Sequence, residues 1–473
     1  MSRSDSYDLV VLGGGAAAFG ALTEASERDR SVAVVNAGLP LGGTCVNVGC
    51  VPSKHLLEVG KTAFEPSHNP FDAVRHGEST TDWATAIDDM DALVETLREE
   101  NYVDVAEHFG VDVYEGYGAF VDEQTVEVTS GPDEGARIAG EAVLVATGSS
   151  PRAPPVEGLD DVDYETSESI LQRRERPDDV VVLGGGYVGV EWAQILHHLG
   201  AEVTVLQRSD RVLSDMPHRV GRTLGASLRA GGIDVVTGVD ARRVEETPDG
   251  VVVEAAVDGE RREFAGTDLF LAAGVRPNTA GIGLADVGVE TDETGAVVVE
   301  TYHTGVADVY AAGDVIGDPM LETVAAKEGN YAVRNAFGDG GHEIEYDAVP
   351  SVVFTSPEVA SVGRTESEYA REHGTCSCRT VELDSLPRAR AAGKTRGFLQ
   401  VVKHHETDEI VGVHAVSPRA GDVIPAAALA VKYGLTVDDV IDTVHPFPTY
   451  GEAFKRACQA FRRDTSTMSC CVE

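Results

Sequence analysis

Thiols are the residues of this chain whose spacing most directly suggests chemistry. Cys45 and Cys50 stand five positions apart in the segment Gly42-Gly43-Thr44-Cys45-Val46-Asn47-Val48-Gly49-Cys50-Val51-Pro52-Ser53-Lys54. Residues four to five apart on a helix lie one turn or slightly more from each other, so the two sulfurs come within disulfide range if the turn is locally distorted. Gly49 permits that distortion. At the far end of the chain Cys470 and Cys471 are adjacent; a disulfide between them would be strained, but as thiolates near a chain end they make a mobile chelate for a soft cation. Cys376-Ser377-Cys378 reads as two exposed loop cysteines or as an accessory metal handler, and Cys458 as the core of a helix over 452–461. An odd total of seven cysteines, without a basic and apolar leader, does not describe a secreted disulfide scaffold.

The elements that must position the thiols announce themselves through a repeat. Residues 10–15 and 181–186 are the same hexapeptide, Val-Val-Leu-Gly-Gly-Gly, each followed by a helix-periodic segment and a second apolar run, at 31–36 and 202–207. The glycine positions are Gly13, Gly15 and Ala18 in one copy and Gly184, Gly186 and Gly189 in the other. Their roles are a tight turn, close approach of a pyrophosphate to the backbone, and close helix–strand packing, with the helix N-terminus facing the phosphates. Two such units predict two bound dinucleotides and an α/β fold with two Rossmann-like domains. Between them lie a long helix over 81–108, short strands over 111–128 and a strand at 142–150. Thr147-Gly148-Ser149 marks a crossover into the second domain, stiffened by Pro154 and Pro155; the chain returns near Gly274 and reaches Ala311-Ala312-Gly313-Asp314. The expected bounds are 1–150 and 280–349 for the first domain, 151–279 for the second and 350–473 for a third, α+β domain.

Both glycine loops, the cysteine segment and Ala311-Ala312-Gly313-Asp314 occur in the order found in the flavoprotein (class I) pyridine nucleotide-disulfide oxidoreductases, which the chain resembles over essentially its whole length. That resemblance implies FAD on the first unit and a nicotinamide nucleotide on the second. It implies that Cys50 is the thiolate against the flavin and Cys45 the outer, interchange thiol. Lys54 sits near the flavin and pairs with Glu191, although as isolated residues both would read as solvated helix charges. Tyr187 covers the nicotinamide pocket or contacts a thiol-bound metal, and Asp314 holds the ribityl chain. Cofactor contacts are further expected from Gly43, Thr44, Gly118, Thr147, Gly148, Ser149, Gly274 and Leu321. Asn36 stands where the family usually has a ribose-binding acid; asparagine can still hydrogen-bond hydroxyls. At the matching place in the second unit Gln207 is followed by Arg208 and Arg211, which favours NADPH over NADH, since an acid would select the 2′-hydroxyl and arginines accept a 2′-phosphate. The third domain is expected to make a homodimer.

Disulfide-reducing members carry His-Pro-Thr-x-x-Glu near the C-terminus, a base supplied by the partner subunit. Here the frame reads Phe447-Pro448-Thr449-Tyr450-Gly451-Glu452, and His445 is the nearest substitute. A thiolate-bound metal takes electrons without protonating a dithiol product, so the departure points from disulfides to a metal. The resemblance implies that the metal is Hg(II), arriving as thiol complexes and reduced to Hg(0), with Cys470 and Cys471 capturing the ion and passing it to Cys45 and Cys50 of the partner subunit. A thioredoxin or other dithiol-disulfide reductase would keep the histidine, a lipoamide dehydrogenase would carry an acid at 207, and a metal-sequestering protein would need no nucleotide sites. The first glycine loop begins almost at Met1, which makes small thiols or another carrier the expected source of metal.

Net charge is −41 with 42% hydrophobic residues. Such a surface repels nucleic acid, and no apolar run approaches the roughly 20 residues that span a bilayer, so neither nucleic acid nor membrane is an expected partner and the cytoplasm is the expected location. Acid spread along the whole chain reads as adaptation to salt, with stability falling at low ionic strength.

Overall fold

The computed structural model describes residues 4–75, 80–338, 340–465 and 468. It divides into two compact units, one of residues 1–53, 87–152 and 274–344, the other of 54–86, 153–273 and 345–473.

In the first unit the strand Ser4–Leu12 runs parallel to Val32–Asn36 on one side and to Arg137–Val145 on the other. Asp112–Glu115 extends the sheet beyond Val32–Asn36, and Thr125–Ser130 and Tyr117–Asp122 extend it antiparallel beyond Arg137–Val145. The short strand Val309–Ala311 also pairs with Arg137–Val145. The central strands are apolar on both faces, as a covered parallel sheet requires: Leu9, Val10, Val11, Leu12, Val143, Leu144 and Val145 are all buried. One face is closed by the crossing of helices Ala16–Ser26 and Glu322–Phe337. Their backbones nearly touch, since a Cβ on Gly20 would lie 1.9 Å from the Ala326 carbonyl oxygen and one on Gly329 the same distance from that of Ala17.

The second unit contains the parallel sheet Asp234–Thr237, Glu202–Gln207, Asp179–Leu183, Asp268–Leu271 in that order, and an antiparallel three-stranded sheet over 239–266. Residues 345–473 add a five-stranded antiparallel sheet, Ser351–Val353, Glu358–Gly363, Ile410–Ser417, Phe398–Lys403 and Cys378–Glu382, with Ala420–Lys432 and Glu452–Gln459 among its helices. Phe398, Leu399, Val401, Val413, Phe454 and Cys458 lie in its core.

The repeat is the same turn built twice. Gly13 has φ +111° and Gly184 φ +118°, and a Cβ at either would lie 2.2 Å from a carbonyl oxygen, of Ala146 and Ala272 respectively. Only glycine satisfies both the positive φ and the approach. The helix expected over 81–108 begins at Trp83 and passes through a wider π turn, Glu99–Val103, before ending at His108. The Cys458 helix ends at Gln459. Among the described residues no helix is long and apolar enough to cross a membrane.

Candidate active site

Cys45 lies in a one-turn helix, Gly43–Asn47, and Cys50 opens a second helix, Cys50–Phe64. The distortion expected between them is a complete break at Val48 and Gly49. Gly49 is needed there for space, because a Cβ would come within 2.9 Å of the Thr44 carbonyl oxygen and 3.3 Å of Cys45 Cα. Asn47 holds the short helix to the preceding loop, donating from Nδ2 to the carbonyls of Gly43 (2.8 Å) and Pro40 (3.1 Å). Cys50 is exposed and Cys45 half-buried. The two thiols are hydrogen-bonded, and that bond, burial and the neighbouring Glu322 carboxylate push the Cys45 thiol strongly up.

Glu322 was not among the residues singled out in the sequence. It is the first residue of helix Glu322–Phe337, directly after Leu321 at the N-cap, and it accepts from the Tyr102 hydroxyl (3.3 Å) as well as from Cys45. Burial raises its carboxyl above the usual range. An acid at a helix start is so ordinary that only its neighbours distinguish it.

In the same unit Ser149 donates to Asp314 Oδ2 (2.6 Å), and burial raises the Asp314 carboxyl despite that bond. Asn278, also missed, ties the crossover together. It accepts from Thr147 Oγ1 at its carbonyl (2.7 Å) and from Ser150 Oγ at Oδ1 (2.8 Å), and its Nδ2 donates to the Thr147 carbonyl (3.0 Å). Gly43 abuts Gly15, a Cβ on Gly43 falling 2.8 Å from Gly15 Cα. Thr44 is exposed and Gly148 and Gly274 have positive φ with open space around a Cβ. Gly118 has a packing reason, since a Cβ would lie 2.6 Å from Leu12 Cδ2 and 2.9 Å from Val35 Cγ1. Asn36 gives its Nδ2 to the Leu39 carbonyl (2.9 Å) and lays Oδ1 against Gly14.

In the second unit Glu191 is only 5% exposed. Its Oε2 meets Lys54 Nζ at 2.8 Å and its Oε1 accepts from the Phe354 amide at 2.8 Å. Lys54 also lies over the Phe354 ring, 4.9 Å from its centroid. The solvated-charge reading is therefore excluded for Glu191. Tyr187, half-buried, begins the helix Tyr187–His198 one turn before Glu191. Gln207 is buried and its Oε1 accepts from the Gly185 amide (3.0 Å), bracing the glycine loop. Arg211 is committed to Asp210 (2.7 Å) and the Ser214 carbonyl (2.7 Å), whereas Arg208 is exposed.

Phe447 is 48% exposed. His445 turns Nε2 to the Val440 carbonyl (3.2 Å), and burial lowers its pKa. Glu452 pairs with Arg456 (2.6 Å), but its second oxygen is buried with no hydrogen-bond partner. The acid of the family's motif is thus retained without its histidine. Cys470 and Cys471 lie outside the described residues.

Two phosphate cradles fit this architecture. Neither helix Ala16–Ser26 nor Tyr187–His198 has a side-chain cap at its N-terminus, and a Cβ would meet nothing within 4 Å at Gly186 and only Gly43 Cα, at 3.8 Å, at Gly15. The first-turn amides at both ends are therefore left for an anion.

A dithiol pair in one unit and glycine-loop cradles in both define a nucleotide-dependent dithiol oxidoreductase. The chain belongs to the pyridine nucleotide-disulphide oxidoreductases, whose model matches residues 7–329 and whose dimerisation-domain model matches residues 349–458. It is 37% identical to the mercuric reductase of Staphylococcus aureus, over 100% of this chain and 85% of that one. To the mercuric reductase of Streptomyces lividans it is 38% identical over 98% of both. Among solved structures, LpdA of Mycobacterium tuberculosis superposes with a TM-score of 0.86 at 27% identity, over 97% of this chain and 100% of that one. The chain is an oxidoreductase of the flavoprotein kind, and FAD and NADPH are its cofactors.

Proposed function

We propose that the chain reduces Hg(II) to Hg(0) with NADPH. The balance is two electrons and one proton: NADPH and Hg(II) give NADP+, a proton and Hg(0). FAD, when bound, supplies the relay that takes a hydride from the nicotinamide and returns two electrons. The protein's part is to hold the ion on sulfur. Two thiolates must bind the metal, so any proton on Cys45 has to leave, and Glu322 is the carboxylate hydrogen-bonded to it that can receive that proton. Lys54, fixed by Glu191, supplies positive charge beside the flavin and the Cys50 thiolate. Gly13, Gly15, Ala18, Asn36, Thr44, Thr147 to Ser149 and Asp314 serve FAD, and Gly184, Gly186, Gly189, Gln207 and Arg208 serve NADPH. In the same reading residues 1–150 and 280–349 bind FAD, 151–279 bind NADPH, and 350–473 form a cytoplasmic homodimer in which Cys470 and Cys471 deliver metal to the partner subunit.

The observation that carries this reading is Phe447, an exposed hydrocarbon ring in the place of the base that disulfide reduction needs. The test is NADPH consumption with thiol-complexed Hg(II) set against oxidised glutathione, lipoamide and a thioredoxin. Mercury should be the strong substrate, and Cys50→Ala should abolish turnover. Cys470→Ser/Cys471→Ser should slow metal delivery while flavin reduction by NADPH stays intact. Rapid reduction of a disulfide with indifference to mercury overturns the reading.

A further inference from the structure

Away from the redox pair, the five-stranded sheet brings together three groups that the reaction does not use. Cys378 is the first residue of the edge strand Cys378–Glu382, and Cys376 precedes it by two, the spacing that puts both side chains on one face of an extended segment. Ser377 between them is pinned by its carbonyl, which accepts from the Lys403 amide at 2.9 Å. Glu366 comes from a different element. It is the first residue of helix Glu366–His373, whose start is fixed by the Thr365–Glu368 capping box. On the neighbouring strand Gln400, opposite Thr380, donates to Glu366 Oε2 at 3.1 Å and leaves Oε1 to accept from the Cys376 thiol at 3.3 Å. One ligand atom from each of Cys376, Cys378 and Glu366 lies within 4.8 Å of the others, with Cys376 and Glu366 exposed and Cys378 half-buried.

We propose that Cys376, Cys378 and Glu366 form a second chelate, separate from Cys45 and Cys50, for a soft divalent d10 cation such as Cd(II) or Hg(II). Two thiolates and one carboxylate oxygen match the ligand preferences of such ions, and the exposed side leaves room for a water as fourth ligand. The carboxylate is aimed by Gln400, an outer-shell contact of the kind that orients metal ligands. Without metal the site holds protons. Burial, the hydrogen bond to Cys376 and the nearby Glu366 push Cys378 up to about 12, and burial also raises Cys376. Binding therefore exchanges two thiol protons for one divalent ion, leaving two metal–sulfur bonds and a net charge of −1 with the Glu366 carboxylate, and it weakens as pH falls.

The test is Cd(II) titration of the FAD-loaded chain carrying Cys45→Ser, Cys50→Ser, Cys470→Ser and Cys471→Ser, in which the one cysteine left besides Cys376 and Cys378 is Cys458, which is buried. Thiolate-to-metal absorbance should report one Cd(II) per chain with release of two protons. Adding Cys376→Ser should abolish the signal, and Glu366→Gln should weaken binding about tenfold or more, flavin content confirming the fold in each case. Absence of a Cd(II) signal in the four-serine chain overturns the proposal, as does binding that survives Cys376→Ser/Cys378→Ser unchanged.

Discussion

Replacing Glu191 tests how the buried ion pair is built. Glu191→Ala removes both partners at once, the counter-ion of Lys54 and the acceptor of the Phe354 amide. Breaking a fully buried pair costs about 3–5 kcal/mol. The Lys54 side chain, however, is 33% exposed, so water recovers most of its charge and the ionic share falls to about 1 kcal/mol. The orphaned amide adds about 1–2 kcal/mol. A total of roughly 2–3 kcal/mol lowers the melting temperature by about 5–10 °C, at the 2–4 °C per kcal/mol typical of a few hundred residues. Glu191→Gln keeps an oxygen for Phe354 and loses only the charge, so it should cost roughly 1 kcal/mol, or about 2–4 °C. Circular-dichroism melts of the FAD-loaded proteins, with flavin content recorded, measure both. If alanine and glutamine lower the melt equally, or if alanine changes it by less than a degree, the division of labour between the two carboxylate oxygens is wrong.

Three other substitutions probe separate parts of the machinery. Gly184→Ala forces a methyl 2.2 Å from the Ala272 carbonyl at a positive φ, so NADPH binding should be lost with FAD still bound, as read by nucleotide titration and flavin content. Arg208→Ala should raise KM for NADPH about tenfold, the loss of one charge-assisted hydrogen bond, with KM for NADH unchanged; an equal rise for both would remove Arg208 from 2′-phosphate recognition. Asp8 is held at about 2 by hydrogen bonds from the Ser31 hydroxyl and amide and from Arg30. Its folded-state value is below its unfolded one, so its contribution is complete above about pH 4 and is lost as pH falls toward 2. Urea midpoints should thus place Asp8→Asn below the parent at pH 5 and closer to it at pH 3; a gap that widens on acidification contradicts the assignment.

What could be read from the residue string was whatever is local. The hexapeptide repeat specifies two glycine turns because a turn, its positive φ and the following helix all lie within a few residues. Cys45 and Cys50 were legible for the same reason, down to the role of Gly49. Glu322, Asn278 and Glu366 were not, because each acts through a neighbour brought to it by sheet register or helix crossing, and an isolated Glu or Asn carries no sign of that. Gln207 was read only in part: its position at the end of a strand suggested a nucleotide contact, and spacing gave no sign that its carboxamide oxygen also accepts from the Gly185 amide, which depends on how far the strand carries it under the loop. Glu191 and Lys54 resembled surface charges until Phe354 was placed beside them.

The first unit is assembled from three separated stretches of chain, and its last one supplies both the strand Val309–Ala311 and the helix that crosses Ala16–Ser26. During synthesis the amino-terminal strands must therefore wait, their inner face open, until residues beyond 337 have left the ribosome. At about 5–20 residues per second this leaves a window of some seconds to a minute in which an apolar sheet stands half covered. The parallel four-stranded sheet of the second unit, whose strands all lie within 179–271, can close first. The order of closing is thus the reverse of the order along the chain, and the apolar sheet that is made earliest stays open longest.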